Sequence, residues 1–332
     1  MWADYKSLRV QDANQVRNPI SYGFTSDILS FRRCPRQYLF FREREFVPPN
    51  ATQLYFGTVV HQSLDLAHAQ FRGLLADVPK GTIAKDTEIY RFFRAVEQGL
   101  FANGVRPYQM GPKGGLAANE MDGSEGYDVL ADAIGSERAS AFCRVRQFNK
   151  VMGPVLYRRV LDTECRIDSD RGDFVITGNV DVIATSDGGG VELWDYKSSK
   201  SRELSEDTRE GKDARMQIRI YSFIYGKRTG QIPRKGVIYC LGDIEPDSDQ
   251  TLGDLQKSII EVDNLRSEDE FNDAIDEFSS TVREIETARN SNSWSNLPPR
   301  EFPGKKTCDG CAVRWSCKYA KGYGLDYPKR YP

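Results

Sequence analysis

Two apolar runs separated by a tight turn constrain this chain more than any other feature. They are Gly178–Thr185 (GNVDVIAT) and Val191–Ser199 (VELWDYKSS), and Ser186–Gly190 (SDGGG) lies between them. Glycine enters positive φ without strain, so such a turn between β-branched and aromatic runs predicts a β-hairpin in a buried sheet. Side chains alternate along a strand. Asp195 and Lys197 therefore share one face, while Trp194 and Tyr196 point into the other layer. In a hairpin Asp181 and Asp195 converge on one end of the sheet. Two carboxylates there attract a hard divalent cation, Mg²⁺ or Mn²⁺, and the Tyr196 carbonyl can add an oxygen. A lysine beside such a cation serves to orient an attacking water and offset charge developing on a phosphate. The plainer alternative is an Asp–Lys ion pair at a strand end.

Helical periodicity surrounds the hairpin. Val60, Leu64, Ala67, Phe71 and Leu74 recur every three or four residues between Gly57 and Leu75, which predicts an amphipathic helix carrying both His61 and His68. Further helices are expected over Glu88–Phe101, Ala131–Lys150 and Ala214–Tyr225. The last holds Gln217 and Tyr221 one turn apart on one face. Thr25 or Ser26 is expected to cap a helix through Ile28, Leu29 and Phe31, interrupted or restarted by Pro35 just after Cys34. Ser267 and Glu270 read as a capping box for a helix through Phe271, Ile275, Phe278, Val282 and Ile285. Strand-like runs at Asp162–Asp168, Phe174–Ala184 and Gly236–Leu241 complete an α/β pattern, and Gly-rich Asn103–Tyr127 reads as a long loop or insertion.

Composition narrows the partners. The 332 residues include 46 basic and 48 acidic side chains, so global attraction to nucleic acid is excluded and only a local patch can supply it. No run approaches the roughly 18 apolar residues of a membrane span, and Met1–Arg17 has no signal-peptide core, so a cytoplasmic protein is expected. There is no internal repeat and no Walker A sequence. Of seven cysteines, three fall within ten residues as Cys308-x2-Cys311-x5-Cys317, which in a reducing compartment points to metal. A four-ligand site is then one short, and Cys34 (RRCPRQY) is a candidate for the fourth. Zinc and a 4Fe–4S cluster both suit four thiolates. Cys143, Cys165 and Cys240 read as buried packing thiols.

Gly178-x-x-Asp181, Asp195-Tyr196-Lys197 and Gln217-x3-Tyr221 together resemble the PD-(D/E)XK nuclease superfamily, in its RecB-family exonuclease branch. Gly57-Thr58-Val59-Val60-His61 fits that branch's upstream Gly-x-x-x-His. The resemblance runs from about Thr25 to the C-terminus, and it departs at Val180, which stands where the superfamily's name has proline. It implies an α/β fold: a restriction-endonuclease-like core with a central mixed sheet flanked by helices, a helical insertion and a Cys-rich C-terminal iron–sulfur segment. The implied organisation is an N-terminal extension at 1–24, a nuclease domain at 25–290 with a helical part at 57–150, and a cluster segment at 291–332 closed by Cys34. His61, Asp181 and Asp195 become metal ligands beside the Tyr196 carbonyl, Lys197 the catalytic lysine, and Gln217 and Tyr221 substrate-orienting residues. Glu164 is a candidate further acid. His68 has no counterpart and reads as structural or solvent-facing. The Cys-Pro with its distant C-x2-C-x5-C resembles the iron–sulfur staple of AddB-like and CRISPR-associated exonucleases, implying a 4Fe–4S cluster on Cys34, Cys308, Cys311 and Cys317.

The implied activity is Mg²⁺- or Mn²⁺-dependent hydrolysis of DNA phosphodiesters, as an exonuclease on single-stranded or unwound DNA. The implied setting is DNA repair, recombination or antiviral defence, with a helicase or CRISPR-type partner in trans. A basic rim is expected from Arg32, Arg33, Arg36, Arg42 and Arg44, interleaved with Phe31, Tyr38, Phe40 and Phe41. Arg215 and Arg219, and Lys305, Lys306, Arg314 and Lys318 around the other cysteines, would extend it. The same residues also read as ordinary surface arginines over core aromatics. The acidic face of Glu268–Glu286 is a candidate docking surface. Two other classes stay open: a catalytically idle nuclease fold that binds DNA or acts as a scaffold, and a zinc-ribbon nucleic-acid binder.

Overall fold

The computed structural model describes residues 20–45, 52–72, 86–103, 105, 137–245, 250–263, 265, 267–294, 308, 311 and 317. Its main elements in chain order are β1 (Ser21–Gly23), α1 (Thr52–Phe71), α2 (Asp86–Ala102), α3 (Glu137–Val151), β2 (Val160–Asp170) and β3 (Val175–Thr185). They continue with β4 (Val191–Lys197), α4 (Arg209–Thr229), β5 (Lys235–Cys240), β6 (Ile259–Val262) and α5 (Glu268–Ser291). The chain divides into two compact units. One comprises Met1–Pro49, Asp168–Thr177 and Ile275–Pro332; the other comprises Asn50–Ile167 and Gly178–Ala274.

The second unit is built on a mixed sheet flanked by helices. β3 runs antiparallel to β4, from Val182 opposite Trp194 to Thr185 opposite Val191. β4 is parallel to β5 and β5 antiparallel to β6, while β2 pairs with β3. The hairpin forms as predicted: Gly188, Gly189 and Gly190 all have positive φ, and Ser186 N donates to Gly190 O at 3.0 Å. β4 has both faces covered, and Val191 to Tyr196 are all buried.

Alternation along β5 separates the two layers. Val237 and Tyr239 join Trp194, Tyr196 and the helices α1, α2 and α3 in one core. Ile238 and Cys240 pack with Ala214 and Ile218 of α4, Val262 and Phe271 in another. A Cβ on Gly236 would lie 2.0 Å from an Ile218 methyl, so glycine lets α4 approach the sheet. Burying a side chain such as Ile218 contributes about 1.5–3 kcal/mol. Helix α4 extends beyond its apolar stripe because Thr208 caps its start and left-handed Gly230 its end. Two buried carboxylates here are satisfied internally. Glu192 on β4 accepts from Arg159 (2.5 Å) and Trp194 Nε1 (3.0 Å), and Glu97 on α2 is held by Tyr55, Arg94 and Arg138.

In the first unit β1 pairs in parallel with the start of β3, Ser21 opposite Val175 and Gly23 opposite Thr177. Short helical segments follow from Phe24 to Glu43. Gly23 rather than Thr25 or Ser26 is the capping position: Asp27 Oδ2 accepts from both Gly23 N and Ser26 Oγ at 2.7 Å, which draws the serine into the first turn. Pro35 does restart the helix. It occupies the first helical position, where its missing N–H is no loss, and Cys34 Sγ accepts from Gln37 N at 3.5 Å. Arg32 fastens this segment to α5 through Thr281 (3.1 Å) and Glu277 (2.8 Å), and Arg289 reaches Glu43 at 2.6 Å. Phe31 and Tyr38 pack on Trp294.

Other expectations meet the structure unevenly. Only half of the capping box forms: Glu270 N donates to Ser267 Oγ, but the Glu270 carboxylate pairs with Arg219 at 2.8 Å. β1 and β6 are three and four residues long, too short to show a period in sequence. Apart from Asn103 and Val105, the 103–127 loop lies outside the described residues, as do 1–19, Lys305, Lys306, Arg314 and Lys318. Among the described residues no helix is long and apolar enough to cross a membrane.

Candidate metal centre

His61 comes from α1, Glu164 from β2 and Asp181 from β3. One ligand atom of each lies within 4.8 Å of the other two, and among the described residues no other group of three or more His, Cys, Asp or Glu is so tight. His61 Nδ1 is 3.6 Å from Asp181 Oδ2, and the same oxygen accepts from Tyr196 N at 2.6 Å. β4 thus anchors the acid on β3 through its backbone. Burial disfavours a charged His61, but the hydrogen bond and charge of Asp181, with help from Asp195, prevail and raise its pKa. Glu164 is pushed up to about 7, first by burial and then by the charges of Asp181 and Asp65. Its φ of +44° lies in the left-handed region and breaks the alternation of β2, at a strain of roughly 1–3 kcal/mol. One imidazole nitrogen and two crowded carboxylates suit a divalent cation, which would offset both the burial and the mutual repulsion of the acids.

Beside this group, three side chains close a ring. Lys197 Nζ lies 2.7 Å from Asp195 Oδ2 and donates to Gln217 Oε1 at 2.8 Å, while Gln217 Nε2 donates to Asp195 Oδ1 at 2.9 Å. Asp195 is 4% exposed; burial raises its pKa, and Lys197 draws it partly back. Tyr221, one turn beyond Gln217 on α4, lies against Gly178, where a Cβ would come within 2.4 Å of the ring. That contact explains the glycine three residues before Asp181. Tyr196 turns its ring into the core, where its hydroxyl meets His68 Nε2 at 2.8 Å. His68 is fully buried, and burial lowers its pKa to about 3.

The family model for the PD-(D/E)XK nuclease superfamily matches residues 25–318. The chain belongs to the PD-(D/E)XK nuclease superfamily. PD-(D/E)XK nucleases are metal-dependent hydrolases, and in this one His61, Glu164 and Asp181 form the group suited to the ion. A solved structure described as "Crystal structure of SSO0001" is 15% identical, with 90% of this chain and 85% of that chain covered at a TM-score of 0.32. That likeness is too slight to carry an argument. Among curated proteins none matches.

The PD-(D/E)XK chain uses several of its expected rim arginines internally. Arg32 is 6% exposed and bound to Thr281 and Glu277, and Arg42 forks onto Asp27. Arg215 donates to the carbonyls of Leu204 and Gly211, and Arg219 pairs with Glu270. Arg33 is exposed, and Arg36 and Arg44 lie over the Phe40 ring. Within the first unit the Cys34 thiol is pushed up by burial and, to a lesser extent, by Cys311 and Cys317. Cys308 is buried, and its carbonyl accepts from Cys311 N at 3.1 Å. Cys143 and Cys240 are buried as expected, whereas Cys165 on β2 is half-buried.

Asp65 was not singled out in sequence. It lies one turn after His61 on α1, and that spacing of four was the available signal.

Proposed function

We propose that this protein is a Mg²⁺- or Mn²⁺-dependent deoxyribonuclease of the RecB-family exonuclease branch, acting on single-stranded or unwound DNA. The observation that carries this reading is the convergence of His61, Glu164 and Asp181 within 4.8 Å, in a chain matched by the superfamily model over residues 25–318. These three, with Asp195 and the Tyr196 carbonyl, would hold the ion. Bound there, a divalent cation supplies Lewis acidity toward a phosphate and the attacking water. The chain's own groups do the remaining work. Lys197, steadied by Asp195 and Gln217, places one positive charge where a phosphate oxygen gains negative charge. Its ammonium also orients the water for attack. Gln217 keeps Lys197 and Asp195 in register, and Tyr221 adds a phenol at the same edge. Exposed Arg33, with Arg36, contacts the DNA backbone.

The 4Fe–4S cluster is assigned to Cys34, Cys308, Cys311 and Cys317, on their spacing and on the influence of Cys311 and Cys317 on the Cys34 thiol. The proposed setting is cytoplasmic DNA repair, recombination or antiviral defence, with a helicase or CRISPR-type partner in trans.

The test uses protein purified without oxygen, given Mn²⁺ and either end-labelled linear or circular single-stranded DNA. Progressive shortening of the linear strand with the circle intact is expected. DNA binding with no cleavage under any divalent ion would instead make this a catalytically idle binding subunit.

A further inference from the structure

His68 and Tyr196 make a contact that the reaction itself does not use. The chain has two histidines, and both touch the Tyr196 ring. His61 meets it edge-on at 5.9 Å and 87°, whereas His68 stacks on it at 6.0 Å and 12°. Tyr157 and Phe148 enclose His68 edge-on at 5.2 and 6.0 Å.

The Tyr196 hydroxyl and His68 Nε2 lie at hydrogen-bonding distance, 2.8 Å. The other ring nitrogen, Nδ1, has no hydrogen-bond partner among the described residues. An orphaned buried polar atom is destabilising. Two phenylalanines would fill the same space with no orphan. What the His–Tyr pair adds is direction, because one bond fixes where the Tyr196 ring sits.

That position matters for the backbone of the same residue. Tyr196 N donates to Asp181 Oδ2 at 2.6 Å, the oxygen that faces His61. Helix α1 therefore meets the sheet at two points two turns apart. His61 faces Asp181 directly, and His68 reaches the same acid through Tyr196. Two fixed points set both the rotation and the height of the helix against β4.

We infer that His68 is a positioning residue, holding Tyr196 so that its backbone amide keeps Asp181, and with it His61, in ion-binding register. The inference rests on the reading of the site as a divalent-ion centre. Groups that orient metal ligands typically contribute 10–100-fold in affinity.

The test measures Mn²⁺ dissociation constants and melting temperatures for wild type, His68→Phe, Tyr196→Phe and the double variant, with no DNA present. Each single variant should weaken Mn²⁺ binding about tenfold. The double variant should regain melting temperature, since both polar partners are gone, yet bind Mn²⁺ no better than the singles. A merely structural pair would move the melting temperature and leave Mn²⁺ affinity at the wild-type value, overturning the inference. Wild-type protein that takes up no Mn²⁺ would overturn the reading of the site as well, so the two failures are distinct.

Discussion

Lys197 Nζ lies 2.7 Å from Asp195 Oδ2, on an acid that is 4% exposed. The ammonium pairs with a buried carboxylate, and on the proposed reading it is also the group offered to a scissile phosphate. Lys197→Ala should abolish that offer and lower single-turnover DNA cleavage by at least ~100-fold. Mn²⁺ binding should survive, because His61, Glu164 and Asp181 are untouched. The unpaired Asp195 should lower stability by about 1–3 kcal/mol, less than for a fully buried pair because Lys197 is 24% exposed. Cleavage assays beside Mn²⁺ titration separate these effects.

Glu164 gives the ion-free protein a distinct pH response. Its folded pKa of about 7 stands above the ordinary value of 4.5, so the folded state binds a proton more tightly than the unfolded chain. Its contribution to stability is therefore complete below pH ~4.5 and lost as pH rises through 7. Metal-free protein should melt lower at pH 8 than at pH 5.5 on this account, and Glu164→Gln should flatten that slope. Mn²⁺ should oppose the trend, since it competes with the same proton. Melting curves across pH, with and without Mn²⁺, check the sign.

Gly178→Ala forces a Cβ to within 2.4 Å of the Tyr221 ring. Overpacking of this kind costs about 1–3 kcal/mol and should displace Tyr221 from Gln217. Adding Tyr221→Ala should recover the melting temperature but not cleavage. A double-mutant cycle on both readouts tests the contact.

Cys34→Ala should give colourless protein after anaerobic purification. The segment around residue 34 should nevertheless hold, because Arg32 binds Thr281 and Glu277, and Arg289 binds Glu43, independently of any cluster. Limited proteolysis should then leave residues 20–45 intact. Early cleavage between residues 20 and 45 would show that the cluster alone secures that segment.

The hairpin bearing Asp181, Asp195 and Lys197 was legible because its period of two, its turn glycines and its bulk all agree. Helix α1 was legible for the same reason at a period near four. Glu164 was not: a left-handed φ within a strand leaves no compositional trace, and only the resemblance pointed to it. Nor does local sequence tell which arginine beside Cys34 is buried. Arg32 finds Thr281 249 residues away, whereas its neighbour Arg33 is exposed. Such choices are made by tertiary packing, which adjacency in sequence does not encode.

On the proposed reading, His61, Glu164 and Asp181 hold one divalent ion on which DNA cleavage depends. Calorimetric titration of Mn²⁺ into wild type and Asp181→Asn, with cleavage measured on the same samples, tests it most directly. One site in the wild type, lost together with cleavage in Asp181→Asn, is the predicted result. Mn²⁺ affinity unchanged by Asp181→Asn, or cleavage that persists in a chelator, would contradict it.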